Sequence, residues 1–245
     1  MKNKSLQIQE LAIAITAKNL NPNVVNLDFL KYSNIISSDW ELARPAVYRK
    51  SVTQLVFQNG IAIVVQPNRI VFAEAIDTKE KDIQEVQISQ LATKYIEKLP
   101  NIEYQAVGIN PKGFATFTES NDATNYLLNN LLASGEWREF GKTPVKAAIQ
   151  LAYSLEDSQL NLTINEGLLK VSEEKSIPAV LFSGNFNYNI FGDKQEDKLQ
   201  FLYQILYNWK SNLGIYQQLI NEKFLSANTE EKSSIPFGIP ISPSV

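Results

Sequence analysis

The side chains available for chemistry in this sequence are carboxylates, lysines, tyrosines and hydroxyls, because the chain contains no histidine and no cysteine. Histidine is the usual general base near neutral pH, and histidine and cysteine together form most zinc sites. Their absence excludes Ser–His–Asp triads, zinc hydrolases, cysteine nucleophiles and disulfides. The sequence therefore predicts a non-catalytic protein that holds no metal and no cofactor.

Carboxylates do cluster in three polar stretches, and hard cations need clustered oxygen ligands. These carboxylates are Glu173, Glu174, Asp193, Glu196, Asp197, Glu230 and Glu231. Their spacing matches neither a calcium-binding EF-hand loop, nor a phosphate-binding P-loop, nor a pair of glycosidase carboxylates. Adjacent carboxylates in polar loops are usually solvated, and we expect no metal site here.

The overall charge does not favour nucleic acid as a partner, and the length of the apolar runs does not favour a membrane. There are 23 Lys and Arg residues against 26 Asp and Glu residues, a formal charge of −3, without a dense basic block to neutralise phosphates. The N-terminal sequence lacks the apolar core of a signal peptide, and the apolar runs are far shorter than the roughly 20 residues of a membrane span. We expect a cytoplasmic protein.

The clearest local pattern is a β-hairpin. Residues 54–58 and 61–65 are rich in strand-forming side chains, and Asn59 and Gly60 lie between them. Asn-Gly is typical of a type I′ turn, whose two central residues have positive φ angles. A third strand follows over residues 69–76, which gives an antiparallel meander.

Helical and strand periodicity predicts the remaining elements. In the first half these are a strand over residues 11–16, a short helix that begins near 24 and ends near the polar residues 37–39, and a longer helix over 88–99. In the second half they are a strand over 104–109 that ends in a break at 110–113, a short helix around 126–132 capped by Asp122, strands over 145–154, 159–165 and 179–190, and a long helix over 197–224.

Each half thus has the order strand, short helix, three antiparallel strands, long helix. This order predicts an α+β fold in which a duplicated unit forms one curved antiparallel sheet with the long helices on one face. Residues 1–100 are the first repeat, residues 101–225 are the second repeat of the same domain, and residues 226–245 are a polar linker followed by an apolar tail with prolines. A chance alternation of elements is the alternative.

A resemblance rests on this order and on residues 55–64, the hairpin that contains Phe57. The chain resembles the two-repeat fold of the TATA-box-binding protein and the wider helix-grip class. It is also similar to a sporadically distributed bacterial family of uncharacterised proteins, which implies no activity. The resemblance implies the fold and not DNA binding, since the family's sheet carries basic residues and this chain is acidic.

Two aromatic–arginine pairs and the tail are the candidate partner-binding residues. Trp40 with Arg44, and Trp137 with Arg138, precede the meander of each half. Each pair is either part of a binding rim, or a tryptophan that closes the edge of the core beside an arginine in a surface ion pair. In the tail, prolines favour an extended apolar peptide that docks on its own sheet or on another protein. Its candidate residues are Ile235, Pro236, Phe237, Ile239 and Pro240.

These observations favour a protein-interaction or adaptor protein with another protein as its partner. One alternative is a module that binds a small apolar ligand in a cavity lined by Tyr95, Phe114, Tyr153 and Trp209. The other is nucleic-acid binding on the sheet, which needs lysines and arginines gathered on one face.

Overall fold

The computed structural model describes residues 4–76, 83–143, 145–170, 172 and 175–226. Within these residues the chain is α+β, with one antiparallel sheet of nine strands and five α-helices. The predicted α+β class and antiparallel sheet are confirmed. None of the helices in the described ranges combines the length and the apolar character needed to cross a membrane.

The strands lie in the order β2-β3-β4-β5-β1-β6-β9-β8-β7. They are β1 (Gln7–Ala17), β2 (Val47–Arg49), β3 (Val52–Val56), β4 (Ile61–Gln66), β5 (Arg69–Ala75), β6 (Tyr104–Thr116), β7 (Ala148–Ser154), β8 (Gln159–Lys170) and β9 (Ser176–Asn189). The strands β1 and β6 therefore meet in the middle of the sheet, and β2 and β7 are its two edges.

The α-helices are α1 (Leu27–Tyr32), α2 (Ile88–Lys98), α3 (Ser120–Asn125), α4 (Gln195–Tyr207) and α5 (Trp209–Leu219). Short 3₁₀ turns occur at Ile83–Glu85 and Glu136–Glu139. Two π-helical turns, Tyr126–Leu131 and Ile220–Leu225, continue directly from α3 and α5.

One face of the sheet, called here the core face, carries bulky apolar side chains. Ile13 of β1 pairs with Phe72 of β5 and with Ile109 of β6, and Ile109 pairs with Phe186 of β9. All four are fully buried. Because paired residues of neighbouring strands point to the same face, these strands build one continuous apolar layer.

Helical side chains contact this layer. The ring of Tyr95 on α2 packs edge-to-face on Phe72, with 5.8 Å between the ring centres. The hydroxyl of Tyr216 on α5 donates to the backbone carbonyl of Phe182 on β9 at 2.8 Å. Both tyrosines are almost completely buried, and burial raises the pKa of each phenol above its usual range.

The predicted hairpin forms, but its turn is not type I′. Gly60 has a φ of +81°, whereas Asn59 has no positive φ. The backbone N–H of Gly60 donates to the carbonyl of Phe57 at 3.2 Å, and the N–H of Phe57 donates to the carbonyl of Ile61 at 2.8 Å. A positive φ is thus needed only at Gly60, as in hairpins that join a type I turn to a left-handed glycine.

The break predicted at residues 110–113 is wrong, because β6 continues through it. Pro111 pairs in register with Leu11 of β1, while the pairing of β6 with β9 is interrupted at Asn110 and Pro111 and resumes at Lys112. Proline has no backbone N–H and cannot donate to the ladder. The strand β6 can contain Pro111 because only its pairing with β9 is interrupted there, while its pairing with β1 continues.

Three helix predictions also shift. The first helix begins at Leu27 and already ends at Tyr32, and Asn26 caps it by accepting from the N–H of Phe29 at 2.8 Å. Asp122 lies inside the first turn of α3 rather than at its cap. The long C-terminal helix is interrupted at Asn208 between α4 and α5, in keeping with the tendency of asparagine to compete for backbone hydrogen bonds.

Candidate functional site: the outer face of the sheet

The predicted carboxylate clusters do not form a metal site in the described part of the chain. Asp193, Glu196 and Asp197 are exposed, and the last two lie in the first turn of α4, where the helix dipole favours negative charge. No group of three potential metal-binding side chains occurs among the described residues. The other carboxylates of these clusters, residues 173–174 and 230–231, lie outside the described residues.

Trp40 packs against the hydrophobic core. Its half-buried ring packs edge-to-face against the buried Phe57, with 5.2 Å between ring centres. Arg44 is exposed. The tryptophan side chain is therefore largely used in packing, and only part of its surface is available to a partner.

Trp137 and Arg138 have different surroundings. Trp137 is 46% exposed, and the guanidinium carbon of Arg138 lies 5.2 Å from the centre of its ring. Arg138 also donates to the backbone carbonyls of Leu128 and Leu132, and to the side chain of Asn129 at 2.9 Å. Arg138 thus satisfies carbonyls at the end of a π-helical turn, which is a structural role.

The two aromatic–arginine pairs do not come together. Trp40 packs on Phe57 directly after β3, near the β2 edge, whereas Trp137 lies in the segment that leads into β7, the opposite edge. The tail residues 235–240 lie outside the described residues.

The residues predicted to line a ligand cavity are also dispersed. Tyr95 and Trp209 are buried in the core, and Tyr153 is half-buried on edge strand β7. Phe114 alternates with the buried Gly113 and Ala115 on β6 and therefore points to the other face of the sheet.

That other face, called here the outer face, is formed by the residues that alternate with the core-face residues. Cross-strand pairing joins five of them on β3, β4, β5, β1 and β6, and three more on β9, β8 and β7. A side-chain hydrogen bond between Asn110 and Asn185 connects the two groups into one row, called here the central row. It runs through Val56, Ala62, Ala73, Ala12, Asn110, Asn185, Asn161 and Ala152. None of these side chains is charged, none is larger than Val or Asn, and all except Ala12 are half-buried or exposed.

The middle of this row is an amide cluster. The side-chain nitrogen of Asn185 lies 2.5 Å from the side-chain oxygen of Asn110, and Asn110 donates to the carbonyls of Ala12 at 3.2 Å and Gly108 at 3.0 Å. Gly108 makes room for the pair, since a Cβ there would lie 3.0 Å from the Asn185 amide nitrogen. The asparagines thus bridge β6 and β9 beside Pro111.

Charge on the outer face is sparse and largely neutralised. Lys112 of β6 and Glu10 of β1 form an ion pair with 2.7 Å between Lys112 Nζ and a carboxylate oxygen. Arg69 lies at the beginning of β5, at the end of the face. A phosphate backbone therefore finds no row of unpaired cations among the described residues of this face.

A buried carboxylate that the sequence analysis missed holds α2 in place. Glu74 is fully buried on the core face, and one of its oxygens accepts from the N–H groups of Gln87 at 2.7 Å and Ile88 at 3.2 Å. No side chain of α2 itself caps the helix. The sequence could have indicated this buried position, because Glu74 follows the apolar Ile70 and Phe72 at the two-residue spacing of one strand face.

A groove of about 990 Å³ is lined by residues of both π-helical turns. Its walls include Phe117, Tyr126 and Phe224, and Lys4 Nζ lies 2.9 Å from the centre of the Phe117 ring. Tyr126 donates to the carbonyl of Phe224 at 2.6 Å, and burial raises the pKa of its phenol to about 12. Burial lowers the pKa of Lys4, an effect that Asp122 partly offsets.

Comparison with known proteins gives no assignment: no protein-family model matches the chain, and no curated protein sequence matches it.

Proposed function

We propose that the chain is a cytoplasmic, non-catalytic interaction protein that binds another protein with the outer face of its sheet. The central row of small, uncharged side chains is the observation that carries this proposal. Small side chains let a partner's backbone approach the sheet closely, and uncharged ones avoid the cost of desolvating charge at the centre of an interface.

The chemistry of the row suggests the kind of partner. Its half around Ala12 and Ala73 is apolar, whereas its half around Asn110, Asn185 and Asn161 offers carboxamides. A carboxamide both donates and accepts hydrogen bonds, which suits the peptide groups of an extended chain. We therefore propose an uncharged segment of a partner protein with mixed apolar and polar side chains as the ligand.

The fold proposal is a duplication. The order β3-β4-β5-β1 runs from the neighbour of edge strand β2 to the middle of the sheet, and β7-β8-β9-β6 runs from the other edge to the middle. This mirrored order, with β2 as an addition to the first half, supports two copies of one unit in a curved, TATA-box-binding-protein-like sheet. The contacts of Tyr95 with Phe72 and of Tyr216 with Phe182 support helices of both halves on the core face.

Charge substitutions on the row test the binding proposal. Ala73→Arg and Asn161→Arg each add a guanidinium to the outer face, the first at a half-buried and the second at an exposed position. Lys94→Glu changes an exposed residue of α2 and is the control. A partner is isolated from lysate of the source organism and then purified. It should bind the native chain and the control with equal affinity, and it should bind both arginine variants at least tenfold more weakly.

Equal binding of all four proteins, with unchanged melting temperatures, would refute the outer face as the contact surface. A chain truncated after Asn228 adds a separate arm, because it lacks the candidate residues Ile235, Pro236, Phe237, Ile239 and Pro240. Loss of the partner on truncation alone would assign binding to the tail instead.

A second candidate function, the binding of a small amphipathic ligand, rests on the groove between the π-helical turns. Its volume is in the range of ligand sites, and π-helical turns often mark such sites. Aromatic walls and the lysines Lys4 and Lys223 suit an anionic amphiphile. The probe is anilinonaphthalene sulfonate, and the variant Asn125→Trp is designed to fill the groove. The fluorescence of the probe should rise with the native chain and not with the variant. No rise with either protein would refute this candidate.

A further inference from the structure

The two edges of the sheet differ in how they are protected against pairing with another strand. The edge strand β2 is three residues long, it ends at Arg49, and Lys50 follows. Pro45 precedes it. Short length, positive charge and proline are the devices by which proteins prevent edge-to-edge association, and this edge has all three.

The strand at the opposite edge has none of them within its own length, and the nearest lysine before it, Lys146, is paired with Glu166 of β8 at 2.9 Å. The strand β7 is seven residues long and contains no charged residue, no proline and no glycine. Its sequence is Ala148, Ile149, Gln150, Leu151, Ala152, Tyr153 and Ser154. Among the described residues β8 is its sole strand neighbour, so its outer backbone N–H and C=O groups meet no strand of the described chain. Such an edge is a ready template for an additional strand.

The core-face side chains of β7 are incompletely covered. Ile149, Leu151 and Tyr153 pack against the core but are half-buried, whereas their counterparts Leu160 and Leu162 on β8 are almost completely buried. The apolar layer therefore continues to the edge and ends there partly exposed. A further strand beside β7 would extend this layer and cover it.

We propose that the β7 edge pairs with the β7 edge of a second copy of this chain, in antiparallel orientation about a two-fold axis at Leu151. In this register Leu151 faces its own copy, Ile149 faces Tyr153, and Gln150 faces Ala152 of the second copy. Apolar and aromatic side chains then pair on the core face, and no like charges oppose each other. The two-fold arrangement is self-complementary, as in most homodimers.

The proposal goes beyond the binding of a partner on the outer face, and it fits a weak dimer. A pair of seven-residue strands buries less surface than the roughly 1,200 Å² or more of stable interfaces. The dimer should therefore depend on concentration and dissociate in the micromolar range or above. Pairing at β7 leaves the outer face of both copies open, and the central row and the interface share only Ala152, so the two inferences can fail separately.

Sedimentation velocity of the full-length chain over a range of concentrations tests the proposal with two double variants. Gln150→Lys with Ala152→Lys places lysines opposite each other in the proposed register, at exposed positions that do not enter the core. Gln150→Lys with Ala152→Glu places each lysine opposite a glutamate instead. The native chain should dimerise, the first variant should raise the dissociation constant at least tenfold, and the second should restore or strengthen the dimer.

Gln66→Lys with Ala75→Lys adds the same charge at exposed positions of β4 and β5 and should leave the dimer unchanged. A native chain that stays monomeric at every concentration would overturn the proposal, and so would a dimer that survives the lysine pair. If the full-length chain is monomeric and a chain truncated after Asn228 dimerises, the proposal is overturned for the full-length protein, because its tail then prevents pairing at the edge. Failure of the Lys–Glu variant to restore a dimer would overturn the register.

Discussion

The side-chain amide of Asn185 on β9 lies 2.5 Å from the side-chain oxygen of Asn110 on β6, next to the position where Pro111 interrupts the backbone pairing of these strands. A side-chain hydrogen bond thus bridges the two strands at the point where a backbone donor is missing. The same two asparagines form the middle of the central row. One arrangement therefore serves both the continuity of the sheet and the polarity of its outer face.

Gly108→Ala should destabilise the protein by about 1 kcal/mol. A Cβ at this position would lie 3.0 Å from the Asn185 amide nitrogen and 3.3 Å from that of Asn110, so the amide pair must shift. Unfolding in urea, followed by circular dichroism, measures the change. An unchanged midpoint would show that the asparagine pair has room to adjust and does not depend on glycine.

The matched control for this variant is Gly214→Ala. Gly214 lies in α5, and a Cβ there would meet no atom within 4 Å. Alanine is favoured over glycine inside a helix by about 0.8–1 kcal/mol, so this variant should be more stable than the native chain. The two glycine substitutions should therefore have opposite signs in the same assay.

Removal of the Glu74 carboxylate should be among the most damaging single changes. In Glu74→Ala the N–H groups of Gln87 and Ile88 lose this acceptor, and that of Ile88 is buried; we expect a cost of about 3 kcal/mol in the free energy of unfolding. Glu74→Gln keeps an acceptor oxygen and should cost about 1 kcal/mol. Glu97→Gln, at an exposed position of α2, is the control and should change stability little. Comparable stabilities of all three variants in urea would contradict a capping role.

Tyr126→Phe should make stability less dependent on alkaline pH. Burial raises the pKa of the folded-state phenol to about 12, while an unfolded tyrosine titrates near 10. The stability that this hydroxyl supplies through its bond to the Phe224 carbonyl is thus complete below pH ~10 and is lost as pH rises toward ~12. We expect the native chain to be about 1 kcal/mol more stable than the variant at pH ~8 and to lose this advantage by pH ~11.

Urea unfolding at both pH values measures this difference. Tyr207→Phe, at a tyrosine that is 85% exposed, serves as the control and should track the native chain at both. A native advantage over Tyr126→Phe that is equal at the two pH values would show that the hydroxyl bond does not survive in solution.

Strand alternation was readable in the sequence because it depends on local side-chain period. On β9, Phe182 and Phe186 alternate with Ser183, Asn185 and Asn187, and the two faces follow directly from this pattern. Glu74 was overlooked for the opposite reason: its position in the pattern was visible, but its partner, the start of α2, lies 13 residues further along the chain.

The amide cluster was not predictable in the same way. Pro111 indicates a break by local rules, and only the pairing of β6 with β1 and β9 makes a continuous strand possible there. Asn110 and Asn185 are 75 residues apart, so their contact depends on the order of strands in the sheet. The turn at Gly60 likewise depends on how many residues join the strands and not on the Asn-Gly pair alone.

The central claim, that a partner protein contacts the outer face, is tested most directly by site-specific photo-crosslinking in lysate of the source organism. The crosslinking residue benzoylphenylalanine is placed at Ala73 or Asn161 on the central row, or at the exposed Lys94 of α2 as control. The account predicts that the same protein is crosslinked from both row positions, that it is absent from the control, and that Ala12→Arg removes it. A partner crosslinked from Lys94 and from neither row position would contradict the account.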